Sequence, residues 1–317
     1  IKTCMYPGYP ELFMQVNKKN EFHFEPDWYR GIEYPKEQER GYDFNEDLYV
    51  PGFFEVDIKK GESVVFSAGI SDVSTNKLKQ IFQHEVNDRT PRDSFYHCLK
   101  NSAHQFHNKQ GDCHYILAGY PWFKCRARDL FVSLPGLTLA IDEPEEFEDV
   151  METAQKTLRC YMNNIPVDCK IYELDDPDVL LWAVWALQQY AKETTREKCR
   201  IKYGDLLLEI IDFIRKGKHN NLFLHENGLL YTHGANKPVT WMNSTIDGHP
   251  VIPRTGYVVE VNALWYNALR FVADMLREDE NPSLADTLDA LAQKTAASFV
   301  ETFRNEYGYL LDFVDGN

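Results

Sequence analysis

Positive charge is scarce in this chain: 34 lysines and arginines face 49 aspartates and glutamates, a formal net charge of −15. A nucleic-acid footprint needs clustered cations, so no nucleic-acid partner is expected. Long apolar runs are also missing. None approaches the length of a membrane span, and no signal peptide opens the chain, so no membrane partner is expected either. The seven cysteines (4, 98, 113, 125, 160, 169 and 199) form an odd set with no close CxxC pair, which points to reduced thiols in a cytoplasmic protein. The glycine-rich GxGxxG and GxxxxGK[ST] loops are absent, as is a GxSxG elbow. Nucleotide phosphates therefore have no evident cradle.

With 317 residues, 44% hydrophobic and 14% aromatic, the chain suffices for two ordinary domains and at least one large core. Residues 1–74 carry short alternating or aromatic segments split by Pro and Gly, such as Glu21-Phe22-His23-Phe24 and Phe53-Phe54-Glu55-Val56-Asp57-Ile58. Lys59-Lys60-Gly61-Glu62 makes a turn, and the strands flanking it are expected to pair as a hairpin. The strands are too few for a closed sandwich and read as the end of one, with sequence lost before Ile1. Leu78, Ile81 and Phe82 share a face of a linker helix over 75–91.

Residues 92–317 turn helical, with amphipathic stretches at 94–106, 179–190, 206–214, 259–275 and 284–303. Asp142-Glu143-Pro144-Glu145-Glu146 suits a helix start better than a cation site. Roughly seven or eight helices joined by long loops, without βαβ alternation, fit a helical barrel rather than a doubly wound sheet.

One loop concentrates unusual chemistry. Thr240-Trp241-Met242-Asn243, Pro253-Arg254-Thr255-Gly256 and the run from Glu260 through Asn262, Trp265 and Tyr266 to Asn267 carry two indoles, an arginine, a carboxylate and three amides. Indole faces suit the apolar C–H faces of a sugar, and amides and guanidinium suit its hydroxyls. Residues 240–254 lack helical period and hold Gly248 and two prolines, so they read as loop. Earlier, Gly119-Tyr120-Pro121-Trp122 makes a second loop. Beyond it Arg128-Asp129 sets a donor fork beside an acceptor, with Asp129 placed to cap the next helix. The same residues also read as a core indole and a structural ion pair. Asp178 begins a helix on which Trp182 and Trp185 share a face, where an N-cap and a core stripe are the plain alternatives. His104, His107 and His114, with Asp112 and Cys113, hint at a metal, but no HExxH or cysteine spacing accompanies them, and ordinary histidines account for them.

Taken in order, the segments 118–137, 178–190 and 228–269 resemble the C-terminal domain of bacterial and archaeal glycogen debranching enzymes, over about residues 92–317. The β segment resembles the end of that family's N-terminal sandwich. The resemblance implies an (α/α)6-type helical barrel, incomplete and truncated at its C-terminus here. It implies an amylo-α-1,6-glucosidase that hydrolyses the branch points of glycogen or limit dextrin with inversion. It implies no metal and no cofactor. An α-glucan partner agrees with the acidic charge, and oligomeric state is not addressed. Carried over, Arg128 and Asp129 match the family's Arg-Asp pair that grips the sugar, and Trp122 and Trp241 match its aromatic walls. Arg254, Glu260 and Asn262 match its Pro-Arg and Val-Glu-hydrophobic-Asn elements. Asp178 and Trp265, from the same segments, complete the set expected at the substrate.

Two departures matter. Lys124-Cys125-Arg126-Ala127 stands where Gly-Arg-Trp-Gly is usual, and Asn243 stands where the family's Thr-Trp-Met-Asp carries the expected general acid. An amide does not protonate a leaving oxygen, and losing general-acid help costs roughly 10²–10⁴-fold. Asp247 and Glu260 are the local substitute acids, and the family's base is expected beyond Asn317. Three readings stay open: a branch-point hydrolase, whose isolated 317-residue chain is inactive or nearly so; a non-catalytic α-glucan-binding or regulatory protein; and a phosphorylase on the same scaffold.

Overall fold

The computed structural model of the chain describes all residues except 5, 121–122, 167–169, 279–281 and 316–317, so Trp122 and Cys169 lie outside the described residues. Two compact units emerge, Ile1–Pro91 and Arg92–Asn317.

In the N-terminal unit every strand pairing is antiparallel. Leu12–Val16 lies between Lys2–Thr3 and Phe66–Gly69, Glu21–His23 pairs with Phe53–Glu55, and Asp27–Glu33 pairs with Asn45–Val50. The hairpin expected across Lys59–Glu62 does not form. Its turn is present, closed by the Glu62 N–H on the Lys59 carbonyl at 3.0 Å, but the strands on either side take different partners. Asn17 is the cause. Its backbone N–H donates to the Val65 carbonyl at 3.1 Å and its side chain accepts the Val65 N–H at 2.7 Å, which draws the second strand onto Leu12–Val16. Helices α1 (Pro35–Glu39) and α2 (Leu78–Asp88) belong to this unit.

The C-terminal unit is mainly helical: α3 (Phe95–His104), α4 (Ala127–Leu137), α5 (Pro144–Met162), α6 (Val179–Glu193), α7 (Arg196–Arg215), α8 (Val259–Glu278) and α9 (Pro282–Phe303). The starts are encoded locally. Ser94 accepts the His97 N–H at 3.1 Å, Thr195 accepts the Lys198 N–H at 3.1 Å, and α5 opens on Pro144 with Glu145 and Glu146 in its first turn. Helix α5 buries Phe147, Val150, Met151, Ala154 and Leu158 in one stripe. Helix α6 is different: Val179, Leu180, Leu181, Ala183, Val184, Ala186 and Leu187 are all buried. A helix apolar on every side must be surrounded, and α4, α7 and α8 pack around it.

Several small sheets fill the long connections. Cys125–Arg126 pairs in parallel with Ile171–Tyr172, and a four-stranded sheet runs in the order Phe223–Leu224, Leu230–Thr232, Gly256–Val258, Phe313–Val314. Gly256 is required there. At φ 123° it occupies backbone space that side-chain-bearing residues avoid, and an added Cβ would meet the Val314 carbonyl oxygen at 2.2 Å. Among the described residues the helices form no closed barrel, the six cysteines are free thiols, and no helix is long and apolar enough to cross a membrane.

Candidate functional site

The site grows from the short parallel strand pair. By pairing Cys125 with Ile171 and Arg126 with Tyr172, it sets the start of α4 beside the segment leading into α6. Arg126 Nε reinforces the join, donating to Glu173 at 2.8 Å. Two residues later Arg128 turns inward. Its Nε donates to Asp178 Oδ2 at 2.8 Å and its Nη2 to Asp178 Oδ1 at 2.9 Å and Asp176 Oδ2 at 2.7 Å. Asp178 precedes α6, yet its side chain makes no cap. It also accepts the Trp182 indole N–H at 3.1 Å.

The plain N-cap alternative for Asp178 thus gives way to a three-donor acceptor role. Burial pushes the Asp178 carboxyl up, while the guanidinium pulls the other way. For Arg128, burial disfavours its charge, but the two carboxylates outweigh it and raise its affinity for the proton. The network continues through Lys237 Nζ, 3.0 Å from Asp176 and 2.9 Å from Asp175.

Beside this network lies a cavity of about 430 Å³, lined by Arg128, Asp129, Ser133, Trp182 and Trp241 among apolar residues that include Phe106 and Val132. That is within the range of roughly 300–1,000 Å³ that small-molecule sites occupy. The bonds of Arg128 to its two carboxylates run through Nε and Nη2. Asp129 sits in the first turn of α4, not at its cap, which is Arg126; its half-exposed carboxylate lies 3.7 Å from Arg126 Nε. Trp241 is 62% exposed and offers an open indole face. Trp182 packs edge-on to Trp185, with centroids 5.5 Å apart.

Residues 240–254 are tied at both ends by one arginine. Arg254, 2% exposed, donates through Nη1 to Thr240 Oγ1 at 2.7 Å and Glu260 Oε1 at 2.5 Å, and through Nη2 to Glu260 Oε2 at 2.7 Å and Asp312 Oδ1 at 2.8 Å. Gly234 permits the close packing, since a Cβ there would meet the Arg254 carbonyl oxygen at 2.4 Å. Within the stretch expected to be loop, Thr245–Ile246 and His249–Pro250 form a hairpin. Asp247 and Gly248, at φ 49° and 79°, make its tight turn. The Asp-Gly pair is a local signal for that hairpin, which the prolines on its second strand and beyond obscure in the sequence.

Several residues expected at the substrate serve as scaffold instead. Trp265 is fully buried in the core and lies on the stripe Val261, Ala268, Leu269, Val272. It has no exposed face to stack on a ring. Asn262 is equally buried. Its amide accepts the Leu230 N–H at 2.7 Å and donates to the Leu230 and Val258 carbonyls at 3.0 Å each, splinting α8 to the sheet. Arg254 is spent on its carboxylates. Glu260 accepts from both terminal nitrogens of Arg254, an acceptor's role and not that of a proton donor. Asp247 occupies the hairpin tip, and neither it nor Asn243 is among the residues that line the cavity. Sequence reasoning missed Asp176, Lys237 and Asp312, whose partners are remote in the chain.

No curated protein matches the chain. Residues 1–65 match the family model described as glycogen debranching enzyme N terminal, and residues 96–317 match that described as amylo-alpha-1,6-glucosidase.

Proposed function

We propose, since the chain belongs to the amylo-alpha-1,6-glucosidase family, that its cavity receives the terminal glucose of an α-1,6 branch on glycogen or a limit dextrin. The observation that carries this reading is the buried Arg128–Asp178 pair, with half-buried Trp182 bonded to it, at a cavity wall shared with Asp129 and the open indole of Trp241. In this reading Arg128 Nη1 donates to a ring hydroxyl, the Asp129 carboxylate accepts from a neighbouring one, and Trp241 covers an apolar sugar face. The helical unit is read as part of an (α/α)6-type toroid, with Trp122 a further wall.

Hydrolysis with inversion takes two carboxyl groups, an acid on the leaving oxygen and a base on water, commonly ~6.5–9.5 Å apart. Asn243 occupies the acid's place in the motif. Glu260 is engaged by Arg254, and Asp247 is at a hairpin tip, so neither is favoured as a replacement. The chain is therefore read as one that binds an α-glucan end better than it cleaves it. That favours the glucan-binding alternative over phosphorolysis, for which nothing specific speaks.

Glucose release from a phosphorylase limit dextrin, beside dextrin binding, tests the reading. The native chain is expected to bind dextrin and release little glucose; in a version of the protein that also carries the family's base, Asn243→Asp raises release by roughly 10²–10⁴-fold. Ready release by the native chain refutes the lost acid. Absence of dextrin binding refutes the cavity assignment.

A further inference from the structure

Two histidines and two carboxylates with no part in the proposed glucan contacts converge between a hairpin and α5. The hairpin pairs His107 with Ile116 and His114 with Lys109, so both histidines project from one face. The His114 N–H donates to Thr153 Oγ1 on α5 at 2.9 Å, which seats the hairpin. One turn apart, α5 presents Glu146 and Asp149. His114 Nδ1 lies 3.7 Å from Asp149 Oδ2, and His107 Nδ1 lies 3.6 Å from Glu146 Oε2. The ligand atoms of His114, Glu146 and Asp149 are all within 4.8 Å of one another.

His107 extends the cluster. Its Nε2 is 3.1 Å from the Leu137 carbonyl oxygen. A carbonyl only accepts, so Nε2 donates there and Nδ1 is turned toward Glu146. The separations are too long for a hydrogen bond of about 3 Å. They come near the spacing of ligands on tetrahedral Zn²⁺, roughly 3.4 Å when each bond is about 2.0–2.1 Å.

We propose that His114, Glu146 and Asp149 bind a divalent transition-metal ion of the zinc type, with His107 paired to Glu146 beside them. Imidazole and carboxylate together suit such an ion better than calcium, which prefers oxygen alone. The ion ties the hairpin to α5. Glu146 also meets His107, whose Nε2 reaches the Leu137 carbonyl at the end of α4, a residue that lines the cavity. Cys113 and Asp112, the companions that spacing alone put forward, are not needed: Cys113 alternates to the other face of the strand.

Zinc titration of the metal-stripped chain under reducing conditions tests this, using calorimetry and thermal unfolding. One Zn²⁺ per chain is expected, together with a zinc-dependent rise in Tm. His114→Ala, Glu146→Gln and Asp149→Asn each weaken binding at least tenfold and abolish the Tm rise. Co²⁺ in place of Zn²⁺ is expected to show no thiolate charge-transfer band. Unchanged binding by these variants, no binding at millimolar zinc, or a thiolate band would each overturn the site.

Discussion

Replacing Arg128 with Met keeps most of the aliphatic stem and deletes the guanidinium. Asp178 and Asp176, at 1% and 7% side-chain exposure, then lose three N–H donors between them. Asp178 keeps only the Trp182 indole, whereas Asp176 keeps Lys237. Removing one partner of a buried pair costs about 3–5 kcal/mol, because the other charge stays buried and unpaired. Lys237 softens the loss at Asp176, so the lower end, about 3 kcal/mol, is expected. For a urea m-value of about 3 kcal/mol/M this lowers the midpoint by roughly 1 M. Urea unfolding followed by tryptophan fluorescence and far-UV CD measures it.

The double variant Arg128→Met/Asp178→Leu removes both charges and should be more stable than the single by more than about 1 kcal/mol. The deficit also has a pH signature. Burial already raises the Asp178 carboxyl, and loss of the guanidinium raises it further above its unfolded value. The folded state then binds the extra proton, so the deficit is largest near neutral pH and shrinks as pH falls toward about 4. A loss under about 1 kcal/mol with no recovery in the double variant refutes the reading of Arg128 as a desolvated cation held by two carboxylates.

Trp241→Ala should leave the unfolding midpoint unchanged, because the indole is exposed, while weakening dextrin binding about tenfold, as the loss of roughly 1.5 kcal/mol of apolar cover implies. Asn262→Ala strands the buried N–H and carbonyl of Leu230 and should cost about 2–4 kcal/mol by denaturant titration. Burial lowers the His219 pKa to about 4, against an ordinary value of 6.5. The unfolded chain binds that proton first, so up to about 3 kcal/mol of stability present above pH 6.5 is lost as pH falls through 4, and His219→Gln should flatten this part of the pH–stability curve.

Local signals carried far where the physics was local. Ser94 and Pro144 open helices because caps and a fixed φ act within one turn, while Thr195 opens α7 ten residues before the stretch read as helical at 206–214. The Lys59–Glu62 turn also forms, but its strands part, since pairing depends on Asn17 and Val65, 48 residues apart. Arg128 met the same limit. Its neighbour Asp129 was its expected companion, yet its partners are Asp176 and Asp178. Trp265 was legible in principle, because its stripe with Val261, Ala268 and Val272 is a core pattern.

The sequence by itself determined the helical character of residues 92–317, the resemblance to debranching enzymes, and the presence of an amide at position 243, because periodicity and motif order need no contacts. Tertiary structure alone decided which polar residues face the cavity and which are consumed as struts. Arg254, Glu260 and Asn262 have the chemistry of ligand-binding groups. They are spent inside the fold because a buried donor or acceptor must find a partner, and only folding shows which one it found.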